Sequence, residues 1–177
     1  SRVPPSYIRG AAINRRAHRR DYASWPEDER WELIEGTAYA MGPAPSLNQQ
    51  RIAVDLLWAL QCWLRSHPGP CEAFAAPFDV LLPAGADQAD GEVDTVVQPD
   101  IVVVCDPAKL SARFCRGAPD FAVEILSPCT GHRDQVQKLD PYARHGVREH
   151  WIVEPASRSV RTCRLAEGSP RRFEPPG

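Results

Sequence analysis

The chain has 177 residues, of which 43% are hydrophobic and 25% charged, and its formal net charge is -2 at pH 7. This length suits one domain, and the nearly neutral charge lacks the basic surplus of most nucleic-acid-binding proteins, although a basic cleft can exist within a neutral total. No apolar run approaches the ~20 residues that cross a bilayer, and the N-terminus has no signal-like apolar stretch. We therefore expect a cytoplasmic protein without membrane contact.

Six cysteines are scattered along the chain without paired spacing. They are Cys62, Cys71, Cys105, Cys115, Cys129 and Cys163. Several lie in apolar runs, where a free cysteine behaves as a small hydrophobic residue. We expect no disulfide framework, and the absence of C-x2-C pairs disfavours a zinc site at Cys115, Cys129 and His132.

The N-terminal part of the chain is rich in proline and arginine. Residues 1–20 predict a basic arm ahead of a domain over 21–177. A solvated arm on the surface or on a neighbouring subunit is the simpler interpretation, and a phosphate-binding arm is the alternative. After it, Ser24 and Pro26 predict the start of a short helix.

Two clear local patterns follow. Residues 31–41 alternate around Gly36, which predicts a hairpin of two short strands. From Ser46 to Arg65, apolar residues recur at the spacing of an amphipathic helix that ends before Pro68. These apolar residues are Leu47, Ile52, Leu56, Leu57, Ala59, Leu60 and Leu64.

The rest of the chain alternates strands with one further helix. The patterns predict strands at 71–75, 77–82, 96–104, 120–126, 147–154 and 159–165, a loop at 83–92 and a helix at 131–145. Pro141 interrupts that helix, and two short helical pieces with Asp140 as a cap would satisfy the constraint. The order of elements predicts a mixed α/β fold in one domain.

Two acidic residues lie within runs that otherwise resemble buried strands. Asp100 precedes Ile101 to Val104, and Glu124 lies within the strand predicted at 120–126. A carboxylate in such a place is unfavourable unless a cation or hydrogen bonds compensate it. With Lys138 nearby on the predicted helix, a divalent-metal site is the simplest chemical interpretation.

Such a set of residues suits hydrolysis of a phosphodiester. The reaction needs an oriented water and neutralisation of charge on the phosphate, and Mg²⁺ held by one or two carboxylates supplies both. A lysine ammonium is a compact positive charge on a flexible stem. We therefore consider Asp100, Glu124 and Lys138 together as candidate active-site residues.

These residues resemble the PD-(D/E)xK restriction-endonuclease-like superfamily. Pro99-Asp100 corresponds to the first motif and Glu124-Ile125-Leu126 to the second. Leu126 occupies the usual lysine position. In this superfamily the lysine can migrate to the following helix, where Lys138 is found.

The chain more closely resembles the Uma family, described as bacterial endonucleases. The resemblance covers about residues 21–165, in order and with compatible spacing. It is carried by Trp31-Glu32-Leu33-Ile34-Glu35-Gly36, Met41-Gly42-Pro43, Gln98-Pro99-Asp100, Gly117-Ala118-Pro119-Asp120, Val123-Glu124-Ile125-Leu126-Ser127-Pro128, Arg133-Asp134 with Lys138, Tyr142-Ala143-Arg144-His145-Gly146-Val147-Arg148-Glu149 and Trp151-Ile152-Val153.

The resemblance implies a restriction-endonuclease-like fold with a mixed central β-sheet flanked by helices. It also implies a Mg²⁺-dependent endonuclease, with Mn²⁺ as a possible substitute, acting on nucleic acid and most simply on DNA. Asp100, Glu124 and the backbone carbonyl of Ile125 would hold the metal. Lys138 would be the catalytic cation and Glu35 an auxiliary acidic residue. A homodimer is expected, since symmetric oligomers are common and two active sites suit cleavage of a duplex.

Three departures from the family pattern keep other functions open. Gln49 replaces a common histidine, His150 replaces a common aromatic residue, and Pro141 could displace the helix that carries Lys138. One alternative is an inactive module that keeps the fold and binds nucleic acid. Others are an interaction domain without nucleic-acid contact and a hydrolase of small phosphate esters.

Overall fold

The computed structural model describes most of the chain. It gives residues 16–25, 30–42, 44–127, 131–167 and 172–173, with 131–137 described by their backbone only. Residues 1–15 of the expected arm and residues 26–29 of the expected short helix lie outside this set. No helix within the described segments is long and apolar enough to cross a membrane.

The described segments contain helices α1 (Arg19–Tyr22), α2 (Leu47–Ser66) and α3 (Gly131–His145). Their strands are β1 (Trp31–Ile34), β2 (Thr37–Ala40), β3 (Glu72–Ala75), β4 (Asp79–Leu81), β5 (Val96–Val97), β6 (Ile101–Val104), β7 (Phe114–Arg116), β8 (Phe121–Ile125), β9 (Glu149–Glu154) and β10 (Ser159–Arg164). The predicted hairpin, long helix and closing strands are confirmed, whereas β7 has no counterpart among the predictions.

The described strands form two mixed sheets of five strands each. Their orders are β2-β1-β5-β4-β7 and β10-β9-β8-β6-β3. The pairs β4–β7 and β8–β9 are parallel, and the other pairs are antiparallel. The predicted fold class, a mixed α/β architecture in one domain, is confirmed, with its strands divided between two sheets.

The strand predicted over 96–104 is in fact two strands in different sheets. β5 pairs with β1 and β4, and β6 pairs with β3 and β8. Pro99 lies between them, and proline cannot donate a backbone hydrogen bond to a ladder. The chain therefore passes from one sheet to the other at residues 98–100, and Asp100 lies at this crossing.

The turn between β1 and β2 has a conformation that favours glycine. Glu35 and Gly36 have φ angles of 50° and 79°. A two-residue type I′ hairpin turn requires positive φ at both central positions. A Cβ at position 36 would also collide with the side chain of Arg16, so Gly36 is needed for two reasons.

Helix α2 begins with a capping box. Oγ of Ser46 accepts from the N–H of Gln49 at 3.3 Å, and Oε1 of Gln49 accepts from the N–H of Ser46 at 3.0 Å. This reciprocal pair satisfies two donors at the helix start. Ile52 and Leu56 pack against Val123 and its neighbours in the second sheet. The N-terminus of α2 is thereby held near the end of β8.

Helix α3 continues through Pro141 as one element, so the expected division into two pieces is wrong. Proline removes a single backbone donor from the helix. The two residues that follow it, Tyr142 and Ala143, are only 0% and 2% exposed. Their burial in the core stabilises the helix beyond the proline.

A disulfide joins Cys71 to Cys105, which the absence of paired cysteine spacing did not predict. The two residues lie at the ends of β3 and β6, where Glu72 is opposite Val104. Strand pairing therefore brings together cysteines that are 34 positions apart. Cys129 lies outside the described residues.

Candidate active site

Asp100 and Glu124 lie opposite each other on neighbouring strands. β6 and β8 pair antiparallel with Ile101 opposite Val123, and the same register puts Asp100 opposite Glu124. The N–H of Ile125 donates to Oδ2 of Asp100 at 2.6 Å. The two predicted carboxylates are therefore brought together at one end of this strand pair.

Lys138 reaches the same place from α3. Its side chain is buried, and its Nζ lies 2.9 Å from Oε1 of Glu124. Pro141, three residues farther along the helix, does not prevent this contact. The structure thus brings together Asp100, Glu124 and Lys138, the three residues that the sequence singled out.

Glu32 joins this cluster, although the sequence analysis did not select it. Its Oε1 accepts from Nζ of Lys138 at 2.8 Å and from the N–H of Gln98 at 2.7 Å. The side chain is buried in β1. The signal was present, because Glu32 is an acidic residue between Trp31 and Leu33, the same kind of pattern that identified Glu124.

Tyr142 is a second residue that the sequence analysis missed. Its hydroxyl donates to Oε1 of Glu124 at 2.8 Å, and the side chain is fully buried. Burial and the nearby charges of Glu124 and Glu32 raise the pKa of Tyr142 well above its ordinary value. The hydroxyl therefore stays protonated as a donor. Its position four residues after Lys138, on the same face of α3, was the available signal.

Glu35, which the resemblance implied as an auxiliary acidic residue, does not lie in this cluster. It is exposed in the β1–β2 turn, where its carboxylate pairs with the guanidinium of Arg144. Glu35 is not among the described residues that line the cavity next to Asp100. The acidic residue that β1 contributes to the cluster is Glu32.

The cluster holds more negative than positive charge. Among the described residues that meet there, Glu32, Asp100 and Glu124 accompany one ammonium, that of Lys138. Burial, followed by the charge of Glu124, raises the pKa of Asp100 to about 6. The hydrogen bond from the N–H of Ile125 acts in the opposite direction and lowers this pKa. Burial alone would lower the pKa of Lys138, but the two glutamates outweigh it and raise that pKa. A further cation would be stabilised here.

The donor atoms suit a hard divalent ion. The described residues contain no group of three or more His, Cys, Asp or Glu side chains placed to hold a metal. Asp100 and Glu124 offer two carboxylates, and Ile125, the residue after Glu124, carries a backbone carbonyl. Mg²⁺ is often bound by one or two carboxylates, with water and phosphate oxygens completing its shell, whereas zinc prefers nitrogen and sulfur ligands. The residues present therefore fit Mg²⁺.

A cavity of about 860 Å³ lies next to the cluster. Asp100, Glu124 and Lys138 line it, together with residues of β2, of α2 and of the segment that joins them. A ligand in this cavity can approach both carboxylates.

A family model named Uma2 and described as “Putative restriction endonuclease” matches residues 19–176, which is most of the chain. The chain belongs to the Uma2 family. The resemblance inferred from the motifs is thereby confirmed. No curated protein matches the chain.

A solved structure similar to this Uma2 chain is the crystal structure of a “putative nuclease belonging to DUF820” from Anabaena variabilis. The TM-score is 0.67, and the match covers 89% of the Uma2 chain and 85% of the other chain. The two sequences are 19% identical. At this identity the similarity shows a shared fold and does not transfer the roles of individual residues.

Two positions where the Uma2 chain departs from the expected family pattern lie near the cluster. Nε2 of Gln49 donates to the carbonyl of Ile125 at 3.2 Å. His150 is 1% exposed, and its ring lies 4.9 Å from that of Tyr142 in an edge-to-face arrangement. Neither ring nitrogen of His150 has a hydrogen-bond partner among the described residues. Gln49 thus contacts an expected metal ligand, and His150 packs behind a residue that holds Glu124.

Proposed function

We propose that this Uma2 protein is a metal-dependent nuclease that hydrolyses phosphodiester bonds in DNA through a PD-(D/E)xK-type site. The observation that carries the proposal is the convergence of Asp100 and Glu124 with the buried ammonium of Lys138 beside a cavity. The description of the family as restriction endonucleases supports it. In this proposal the lysine comes from α3, because Leu126 occupies its usual place in the motif.

We assign Asp100, Glu124 and the carbonyl of Ile125 as the residues that would hold Mg²⁺ or Mn²⁺. The ion supplies positive charge at the reacting phosphate and acidifies water. A ligand carboxylate must be ionised. With a pKa of about 6, Asp100 meets this condition at neutral pH and loses it below that value.

The side chains around Glu124 orient its carboxylate. Oε1 of Glu124 accepts from both Nζ of Lys138 and the hydroxyl of Tyr142. Because both donors are buried, the carboxylate is held in one orientation. The ammonium also provides a fixed positive charge near the phosphate, and preorganised charge of this kind lowers the barrier to reactions that develop negative charge.

We assign Glu32 as a positioning residue. It accepts from Nζ of Lys138, as Glu124 does, and also accepts from the N–H of Gln98, two residues before Asp100. One carboxylate therefore links the lysine to the chain crossing that carries a proposed metal ligand. We assign no such role to Glu35, since it pairs with Arg144 at the surface.

We also propose that the protein forms a homodimer. Leu47 and Trp58 on α2 expose 65% and 66% of their surface. Apolar side chains exposed on one helix suit burial against a second copy. Sedimentation equilibrium should give twice the mass of the chain, and Trp58→Glu should shift it toward the monomer. A wild-type monomer at micromolar concentration would contradict the dimer.

The nuclease is tested by cleavage of labelled single- and double-stranded DNA with Mg²⁺ or Mn²⁺, with EDTA as the metal-free reference. We expect Asp100→Asn, Glu124→Gln and Lys138→Met each to reduce cleavage at least 100-fold. Asp87→Asn is the matched control, because Asp87 is an exposed carboxylate in the 83–92 loop. It should cleave like the wild type.

Cleavage that survives unchanged in the Asp100 and Glu124 variants would show that the activity comes from elsewhere. A wild-type protein that binds DNA and does not cut it would support the alternative, an inactive binding module. Circular dichroism of each variant separates loss of the site from loss of the fold.

A further inference from the structure

The cavity beside the cluster has largely apolar walls. Tyr39 of β2, Met41 just after it, and Val54 and Leu57 of α2 contribute to these walls. Its volume of about 860 Å³ lies within the range that small organic ligands occupy in proteins. A nucleotide is a small ligand of this class, with one phosphate and a flat base whose faces are apolar and whose edges are polar.

Basic side chains are scarce in these walls. Among the described lining residues they are Arg30 and Lys138. Lys138 is already paired with Glu124 and Glu32, and the guanidinium of Arg30 donates to Oε1 of Gln98 at 3.1 Å. Duplex DNA carries one negative charge per ~1.7 Å of axis, and proteins that follow it neutralise several phosphates. The described walls do not provide the cations for such a track.

An unpaired base matches these walls better. Proteins that bind single strands without regard to sequence stack the bases on aromatic side chains, beside a positively charged groove for the backbone. A single nucleotide in the cavity brings one phosphate, whose charge the proposed metal would neutralise. Tyr39 is the aromatic residue of the wall formed by β2, and it is paired in register with Glu32 of the cluster. A phosphate at Asp100 and Glu124 and a base against Tyr39 can then belong to one strand.

We propose that this cavity receives an unpaired nucleotide, so that the substrate is single-stranded nucleic acid or an unpaired segment within a duplex. The inference rests on the proposed nuclease function and specifies its substrate class. The scissile phosphate lies at Asp100 and Glu124, and a neighbouring base lies between Tyr39 and α2. An intact duplex has its bases stacked and does not present one to the cavity.

The first test compares cleavage of one DNA sequence in three forms, as a single strand, as a blunt duplex and as a duplex with an unpaired gap. We expect the single strand, and the gapped duplex at its gap, to be cut at least tenfold faster than the blunt duplex. Equal rates on all three substrates would overturn the inference and leave the nuclease itself intact.

A binding measurement decides the inference even when nothing is cut. Fluorescence anisotropy with Asp100→Asn in the presence of Ca²⁺ should give at least tenfold tighter binding to a labelled single strand than to the duplex. If the wild type cuts no substrate while this preference holds, the proposed function fails, and the binding of unpaired nucleic acid in the cavity stands. Equal or tighter binding to the duplex would overturn the inference.

Variants of the cavity wall test whether the single strand binds in the cavity. Val54 lines the cavity, and 65% of its surface is exposed, so Val54→Asp should fold and should weaken single-strand binding about tenfold by adding a negative charge. Because Val54 lies on the same face of α2 as Leu47 and Trp58, sedimentation equilibrium of this variant separates a loss of the proposed dimer from a loss of cavity binding. The matched control is Ala59→Asp, which adds the same charge to the same helix at an exposed position outside the lining. Tyr39→Ala should raise KM more than it lowers kcat, and Tyr39→Phe should restore KM. Equal weakening by both aspartates would show that the cavity is not the site.

Discussion

The side-chain amide of Gln49 donates to the backbone carbonyl of Ile125, and the N–H of Ile125 donates to the carboxylate of Asp100. The backbone of Ile125 therefore connects the first turn of α2 to the proposed metal ligand. Because the other end of the Gln49 amide closes the capping box with Ser46, the side chain is held at both ends. This arrangement fixes a carbonyl that we assign to the metal.

We expect Gln49→Leu to weaken Mn²⁺ binding at least tenfold, since outer residues that hold metal ligands commonly contribute 10- to 100-fold in affinity. Isothermal titration with Mn²⁺ measures this directly. Ser46→Ala is the control, because it breaks the capping box and keeps the contact with Ile125. It should lower the free energy of unfolding by about 1 kcal/mol and leave the affinity unchanged. An equal loss of affinity in both variants would assign the effect to the helix start.

We expect Asp100→Asn to stabilise the metal-free protein at neutral pH. The folded protein raises the pKa of Asp100 from 3.8 to about 6, so it favours the protonated form. The contribution of Asp100 to the free energy of unfolding is therefore fully present below pH 3.8, and it is lost as the pH rises through 6. The asparagine variant cannot ionise, and at pH 7.5 it should be more stable by on the order of 1 to 3 kcal/mol.

Urea unfolding in EDTA at pH 7.5 and at pH 4 checks this expectation. The difference between Asp100→Asn and the wild type should shrink toward zero at the lower pH. A variant that is less stable at both values would show that the carboxylate contributes to folding.

We expect His150→Phe to remove a source of acid sensitivity. Burial, together with the charge of Lys138, lowers the pKa of His150 from 6.5 to about 3. The folded state thus favours the neutral ring, and its stability is present above pH 6.5 and decreases as the pH falls toward 3. Phenylalanine should fit beside Tyr142, which already contacts the ring edge-on.

The gain in unfolding free energy from His150→Phe should be larger at pH 5 than at pH 7.5 by about 2 kcal/mol. Denaturant titrations of the variant and the wild type at these two pH values measure this difference in unfolding free energy. A gain that is the same at both would mean that the pKa of His150 is not lowered in the folded protein.

We expect Lys138→Met to destabilise the protein by about 3 kcal/mol, because it leaves the buried carboxylates of Glu32 and Glu124 without their cation. The double variant Lys138→Met/Glu32→Gln should recover part of this loss, since it removes one of the two charges. Cleavage should stay absent in the double variant. Full recovery of both stability and cleavage would contradict the role assigned to Lys138.

The sequence by itself determined the elements whose signals are local. The alternation around Gly36 predicted the hairpin, and the apolar spacing after Ser46 predicted α2. Both follow from short-range rules of backbone geometry and amphipathic burial. Asp100 and Glu124 stood out for a related reason, since a carboxylate among strand-forming apolar residues is unfavourable without a compensating partner.

Tertiary structure alone decided which residues complete the cluster. Lys138 and Glu32 meet across 106 positions of sequence, and Cys71 reaches Cys105 only because β3 pairs with β6. The division of the strand predicted over 96–104 likewise depends on tertiary structure, because its first half pairs in one sheet and its second half pairs in the other. Contacts of this kind arise from the packing of whole sheets and helices, and no local pattern records that packing.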